Sequence, residues 1–247
     1  TNMDALTIPA AGGVDSTALI VGDFSNGNDG VVLKGKGKTL QDIKGQSVNL
    51  VELSVSHYLL ARGLESVGRK EKDIKVVNTS DADNVSAFQT PDVTAVTTWN
   101  PLLSAITAQP DTSLVFDSSK IPGEIIDLMV VNSETLKDNP KLGKALTGAW
   151  YEIMSIMSRQ DNAGIAARTA MAKASGTDLK GFDSQLAATQ MFYNAADAVA
   201  FAQSPALVKT MGSVASFSYT HGLLGEGATS AEAVGMAFPG GATYGNK

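Results

Sequence analysis

The sequence predicts an α/β protein in two lobes, with mixed, mostly parallel sheets flanked by helices. Three observations carry this. Over the first 130 residues short β-branched or apolar runs alternate with helical patterns, most of those runs are near-continuously apolar, and from Ser133 onward long helical segments take over. Because strand-helix-strand crossovers are right-handed, the early helices are expected to lie on a parallel sheet.

Expected strands cover 17–21, 30–33, 47–52, 74–77, 93–98, 113–116 and 126–131. A helix over 56–67 places Tyr58, Leu59, Ala61, Leu64 and Val67 mostly on one stripe; shorter helices cover 80–88 and 101–108, the second opening on Pro101, which suits a first turn. The run Gly-Lys-Gly-Lys at 35–38 reads as a solvated crossover. Later helices are expected at 133–137, 140–158, 162–174, 181–189, 194–202 and 206–216, and the Gly-rich residues from His221 read as loop. There is no internal repeat and no low-complexity tract.

Composition removes several function classes. The chain has 247 residues, with 19 Lys and Arg against 25 Asp and Glu, so its net charge of −6 offers no basic field for nucleic acid. It has no Cys and two His, His57 and His221, which excludes a disulfide, a thiolate nucleophile and Cys-ligated zinc; no metal and no cofactor is expected. No apolar run approaches the roughly 18 residues of a membrane-spanning helix, so no direct span is expected. The start Thr1-Asn2-Met3-Asp4 lacks the regions of a signal peptide and enters a structured pattern at once, which reads as a processed or truncated chain.

Open parallel sheets bind ligands at the carboxyl ends of their strands, and that rule selects a few positions. The strand over 47–52 runs through Glu52, Leu53, Ser54, Val55 and Ser56 into a helix beginning near His57. Ser54 and Ser56 read either as ligand-facing hydroxyls or as helix caps, and His57 either as a ligand contact or as a packing residue. The strand over 93–98 ends in Trp99-Asn100-Pro101, where Trp99 reads equally as a lid over a flat ligand or as core. Trp150 reads as core, with Leu146, Ile153 and Met157 at helical spacing. The turn-rich run 23–30 reads as a surface loop or hinge and lacks the spacing of an EF-hand. Glu124 projects into the crevice or belongs to the turn before the strand over 126–131. No dinucleotide fingerprint, phosphate-binding lysine loop or Gly-x-Ser-x-Gly elbow is present, and no catalytic residue is assigned.

Several motifs in one order carry a resemblance: 44–62 (Lys-Gly-Gln-Ser-Val-Asn-Leu-Val-Glu-Leu-Ser-Val-Ser-His-Tyr-Leu-Leu-Ala-Arg), 78–83 (Asn-Thr-Ser-Asp-Ala-Asp), 97–101 (Thr-Thr-Trp-Asn-Pro), 116–119 (Phe-Asp-Ser-Ser), 122–127 (Pro-Gly-Glu-Ile-Ile-Asp) and 149–152 (Ala-Trp-Tyr-Glu). The chain resembles the periplasmic solute-binding proteins of nitrate/sulfonate/taurine-type ABC importers, and most of all the branch associated with urea carboxylase. The resemblance implies a two-lobed type II periplasmic-binding-protein fold with a ligand cleft between lobes. It implies residues 1–30 as part of lobe 1 and the hinge, 31–120 as an inserted lobe 2, and 121–247 as the return with C-terminal helices. It also implies a strand, helix and strand before the segment 1–4, so the first lobe reads as incomplete.

Carried onto matching positions, the resemblance implies a ligand set of Asn2, Asp4, Glu52, Ser54, His57, Trp99, Asn100 and Glu124 or Asp127. No Arg or Lys falls on these strand ends, whereas carboxylates and an indole face suit planar N–H donors, so the expected solute is urea, a carboxamide or a guanidinium-like compound. The expected protein is a periplasmic monomer that delivers its solute to a membrane permease and performs no catalysis. The alternatives are a sulfonate or nitrate binder, a sensor module for the same solute, and an enzyme on the same fold like the synthases of the thiamine pyrimidine precursor. Those enzymes use a Cys-rich segment, and the absence of Cys opposes that reading.

Overall fold

The computed structural model describes residues 1–247. Helix α1 (Asn2–Gly12) leads into strands β1 (Ser16–Ser25), β2 (Asp29–Lys34) and β3 (Ser47–Leu50). Then come α2 (Val55–Ser66), β4 (Lys75–Asn78), α3 (Asp81–Gln89), β5 (Ala95–Trp99), α4 (Leu102–Thr107) and β6 (Thr112–Asp117). The rest is β7 (Ile126–Asn132), α5 (Ser133–Asp138), α6 (Pro140–Met157), α7 (Asn162–Ala174), α8 (Leu179–Ala187), β8 (Thr189–Met191), α9 (Ala195–Ala202), α10 (Pro205–Thr220), β9 (Gly235–Ala237) and β10 (Thr243–Gly245). Two compact units result: Thr1–Phe24 with Gly123–Lys247, and Ser25–Pro122.

The unit of residues 25–122 is built on a sheet of order β4-β3-β5-β2-β6. Strand β3 pairs parallel with β4 and with β5, the product of two strand-helix-strand crossovers through α2 and α3. Strand β2 instead lies antiparallel between β5 and β6. In the other unit β1 and β7 are antiparallel, as are β9 and β10, so parallel pairing is less general than the apolar runs predict. Continuous apolarity records burial on both faces, and an antiparallel strand inserted between two covered neighbours is buried equally. Val32, Val96, Phe88, Leu103 and Ile106 form the core beneath α3 and α4. Strand alternation turns Phe116 to the other face, where it meets Gly63 of α2.

The unit of residues 1–24 and 123–247 has a sheet of order β10-β9-β1-β7, with β8 also on β1. Strands β1 and β7 pair from Ser16 opposite Asn132 to Phe24 opposite Ile126, with two register shifts. Helix α1 packs on β7 and α10. It has no counterpart among the expected elements, since Pro9 interrupts its pattern and Met3 and Leu6 are its only buried large apolar residues. The Gly-rich tail corrects the loop expectation: β9 and β10 form a hairpin whose partner, β1, lies over 200 residues away. The helix expected over 181–189 ends at Ala187, because Thr189 enters β8, just past which Phe192 N–H reaches Gly22 O at 3.0 Å. Phe24, Phe192 and Phe201 cluster nearby with ring centroids 5.1 to 6.0 Å apart.

Gly235 is required by close approach. A Cβ there would stand 2.7 Å from Tyr244 O and 2.8 Å from the backbone of Asn246, atoms that cannot swing aside. Gly235→Ala is expected to cost about 2 kcal/mol, measured as a fall in Tm, because the hairpin must open to admit the methyl group.

Helix α7 begins at an aspartate cap. Asp161 accepts from Gly164 N at 3.1 Å and from Arg159 Nε at 2.9 Å. The Arg159 hydrogen bond first, and the Gly164 amide next, hold its carboxyl below the usual carboxylate range. A folded-state pKa below the unfolded one contributes stability that is present above the unfolded value, near about 4, and is lost as pH falls through the folded value. Asp161→Asn preserves a capping oxygen and removes the titration, so thermal unfolding is expected to show a shallower loss of Tm on the acid side.

Candidate functional site

Strand β3 ends at Leu50, two residues earlier than expected, because the chain turns through Val51, Glu52 and Leu53 before α2. Leu53 has a φ of 62°, a left-handed conformation that a branched side chain adopts only under constraint. The constraints are visible. Leu53 N–H donates to His57 Nδ1 at 3.2 Å, and Glu52 N–H donates to Asn78 Oδ1, at the end of the neighbouring β4, at 2.9 Å. Ser54 caps α2, accepting from Ser56 N at 3.1 Å and donating to Val51 O at 2.7 Å.

His57 is 4% exposed. Because Nδ1 accepts from Leu53, the proton resides on Nε2, which lies 2.5 Å from Glu71 Oε1. The imidazole therefore braces the turn, and Ser54 Oγ donates to a carbonyl rather than to His57, so the two are not arranged as nucleophile and base. The side chain of Glu52 is exposed and makes no hydrogen bond or ion pair.

The register of β3 and β5 pairs Val48 with Ala95 and Asn49 with Val96. That pairing ends before the turn through Val51, Glu52 and Leu53, so Glu52 follows the carboxyl end of β3 while Trp99, 41% exposed, closes the adjacent β5. Asn100 follows, nearly buried, with its amide engaged: Nδ2 donates to Asn28 Oδ1 at 3.0 Å and Oδ1 accepts from Ser104 N at 3.0 Å. It ties β5, α4 and the β1–β2 connection together. This unit thus gathers Glu52, Ser54, His57, Trp99 and Asn100 at one end of its sheet, with Glu52 and Trp99 as the outward-facing pair.

In the other unit Asn2 is fully buried. Its Nδ2 donates to Glu124 O at 3.0 Å and its Oδ1 accepts from Ile126 N at 3.1 Å, so it pins α1 to the start of β7. Asp4 is exposed in the first turn of α1 and accepts from Thr1 Oγ1 at 2.9 Å. Glu124 is half-buried, and Asp127 is exposed opposite Asp23 in the β1–β7 ladder. Here the structure joins Asn2 to Glu124 and leaves Asp4 and Asp127 at separate surface positions.

Three contributors escape sequence reasoning. Leu53 carries no mark of its conformation, and Glu71 lies in a separate 3-10 turn, 14 residues from His57. Asn78 had a usable signal, a polar amide closing a parallel strand beside the candidate turn. The arrangement offers a free carboxylate, an open aromatic face and the N-terminus of a 12-residue helix, a set suited to holding a small solute.

Two mixed sheets flanked by helices are the fold seen in solved periplasmic binding proteins. The crystal structure of the periplasmic aliphatic sulphonate binding protein SsuA from Escherichia coli superposes with a TM-score of 0.69 at 22% identity, covering 87% of this chain and 72% of that one. The chain belongs to the NMT1-like family, whose model matches residues 41–171.

Two curated relatives agree in part of their length. A Brucella abortus protein provisionally named a binding protein is 26% identical over 145 residues, 58% of this chain and 44% of the relative. An Escherichia coli protein provisionally named as aliphatic sulfonates-binding is 36% identical over 84 residues, 34% of this chain and 26% of the relative. The chain therefore matches less than half the length of these relatives. No helix is long and apolar enough to cross a membrane.

Proposed function

We propose that this protein is the periplasmic solute-capturing component of an ABC importer, binding a small nitrogen-rich solute of the guanidinium or urea type and passing it to a permease without covalent chemistry. The observation that carries the reading is that adjacent parallel strands lead into an unpartnered, exposed carboxylate, Glu52, just past the end of β3, and an exposed indole, Trp99, at the end of β5. A carboxylate accepts planar N–H donors two at a time, and an indole face attracts a flat cation. Covering Glu52 with an uncharged ligand would leave its charge uncompensated, whereas a guanidinium neutralises it on arrival. The kinship to the urea carboxylase-associated branch belongs to this reading.

A second reading, an aliphatic sulfonate, is favoured by the N-terminus of α2, whose first-turn N–H groups and dipole suit an oxyanion. The names of the Escherichia coli relative and of SsuA point the same way.

Isothermal titration of the full-length protein with guanidinium chloride, urea and ethanesulfonate separates the two. Guanidinium is expected to bind most tightly, with Trp99→Ala and Glu52→Gln each weakening it at least tenfold, about 1.4 kcal/mol, at unchanged Tm. Binding of ethanesulfonate together with silence from both nitrogen compounds overturns the ligand assignment in favour of the second reading.

A further inference from the structure

A second polar constellation lies wholly within the unit of residues 1–24 and 123–247. Arg168 on α7 is 6% exposed. Its Nε donates to Asp183 Oδ1 of α8 at 2.8 Å, and its Nη1 donates to Met157 O and Arg159 O, at the C-terminal end of α6, at 2.9 and 2.7 Å. A clamp on the end of α6 requires no more than these three bonds. Nη2, with two further N–H donors, makes no hydrogen bond to the protein, nor do Asp183 Oδ2 and the Tyr193 hydroxyl. Arg168, Asp183 and Tyr193 line one cavity of about 400 Å³, together with Ser158, Gln160 and Leu186.

Burying an arginine to this degree is costly, and its remaining Nη2 donors, unbonded within the protein yet not sealed from solvent, open on the cavity. Charge balance narrows what could satisfy them. A simple anion at Nη2 would stand beside the Asp183 carboxylate, and a simple cation at Oδ2 would stand beside the guanidinium. A molecule carrying both charges satisfies both groups.

We propose that this cavity binds a small zwitterion of amino-acid size, its oxyanion accepting from Arg168 Nη2 and the Tyr193 hydroxyl and its ammonium donating to Asp183 Oδ2. Burial raises the Tyr193 pKa above its ordinary value, with Arg168 lowering and Asp183 raising it in turn, so the phenol keeps the proton it donates. This site is separate from the Glu52–Trp99 pair and does not depend on what that pair binds.

The probe is β-alanine, followed by amide NMR of the full chain. Saturable shifts at Gln160, Asp183 and Tyr193 are expected, while acetate and ethylammonium, given separately at the same concentration, leave these amides unmoved. Tyr193→Phe and Asp183→Asn are each expected to weaken binding at least about fivefold, with Tyr193→Phe keeping the wild-type Tm because its hydroxyl bonds nothing in the unliganded chain. Glu52→Gln is expected to change nothing. The proposal is overturned by absence of saturable shifts, by equal shifts from acetate or ethylammonium, by an unweakened Tyr193→Phe, or by loss of the response in Glu52→Gln, which would place β-alanine at the other site.

Discussion

Arg168→Met is expected to destabilise its unit by about 3 to 4 kcal/mol, the larger of the two strongest effects foreseen for this chain. The substitution keeps the length of the side chain and removes a charge that joins three helices. Met157 O and Arg159 O lose their donor at the end of α6, and Asp183 loses its partner on α8. Asp183 has a side chain 43% exposed and regains water readily, which holds the estimate at the lower end of values for broken buried pairs. The Arg159 carbonyl comes close because residue 164 is glycine: a Cβ there would run into that carbonyl. Arg168→Lys is expected to recover little, since one ammonium cannot reproduce a planar fork aimed at three acceptors. For a protein of this size the loss reads as a fall in Tm of roughly 6 to 16 °C, and a fall below 2 °C would refute the clamp.

Asn2→Ala is expected to cost about 3 kcal/mol. Its amide is fully buried and makes one bond in each direction to the start of β7, donating to Glu124 O and accepting from Ile126 N. Truncation leaves a buried N–H and a carbonyl without partners, each worth about 1 to 3 kcal/mol, and frees α1 from the strand it covers. Thermal unfolding together with guanidinium titration distinguishes this role from direct ligand contact. A structural Asn2 lowers Tm and leaves the affinity of the folded protein nearly unchanged; the reverse pattern, full Tm with lost affinity, would place its amide at the solute.

The strand and helix pattern was legible wherever local chemistry and burial agree. Helix α7 lies over 162–174 as the sequence implies, because Asp161 offers a capping oxygen and the apolar residues recur at helical spacing. The strand-end rule put Glu52 and Trp99 at the sheet margin, where they lie, because a parallel strand of four or five residues running toward a helix leaves its end and the following turn there. Helix α1 and the β9–β10 hairpin escaped for the opposite reason. Proline within one and glycine throughout the other disguise segments that tertiary partners hold in place.

At the site, residue types were readable and their duties were not. His57 and Asn100 are polar residues in the expected positions, yet each faces protein groups: the Leu53 amide and Glu71 for one, Asn28 and Ser104 for the other. A side chain's identity sets which bonds it can make, and only the packed fold decides which partner reaches it first.

By itself, then, the sequence of this protein determined its α/β class, the order of most of its elements, its lack of thiol chemistry and the strand ends that carry a carboxylate and an indole. Tertiary structure alone decided that β2 lies antiparallel between β5 and β6, that Leu53 takes a left-handed turn braced by His57, and that Arg168 closes over the end of α6. The physical reason is range. Periodicity and capping act over one or two turns of chain, whereas strand order, strained turns and buried charges depend on groups brought together from distant segments, whose meeting no local pattern encodes.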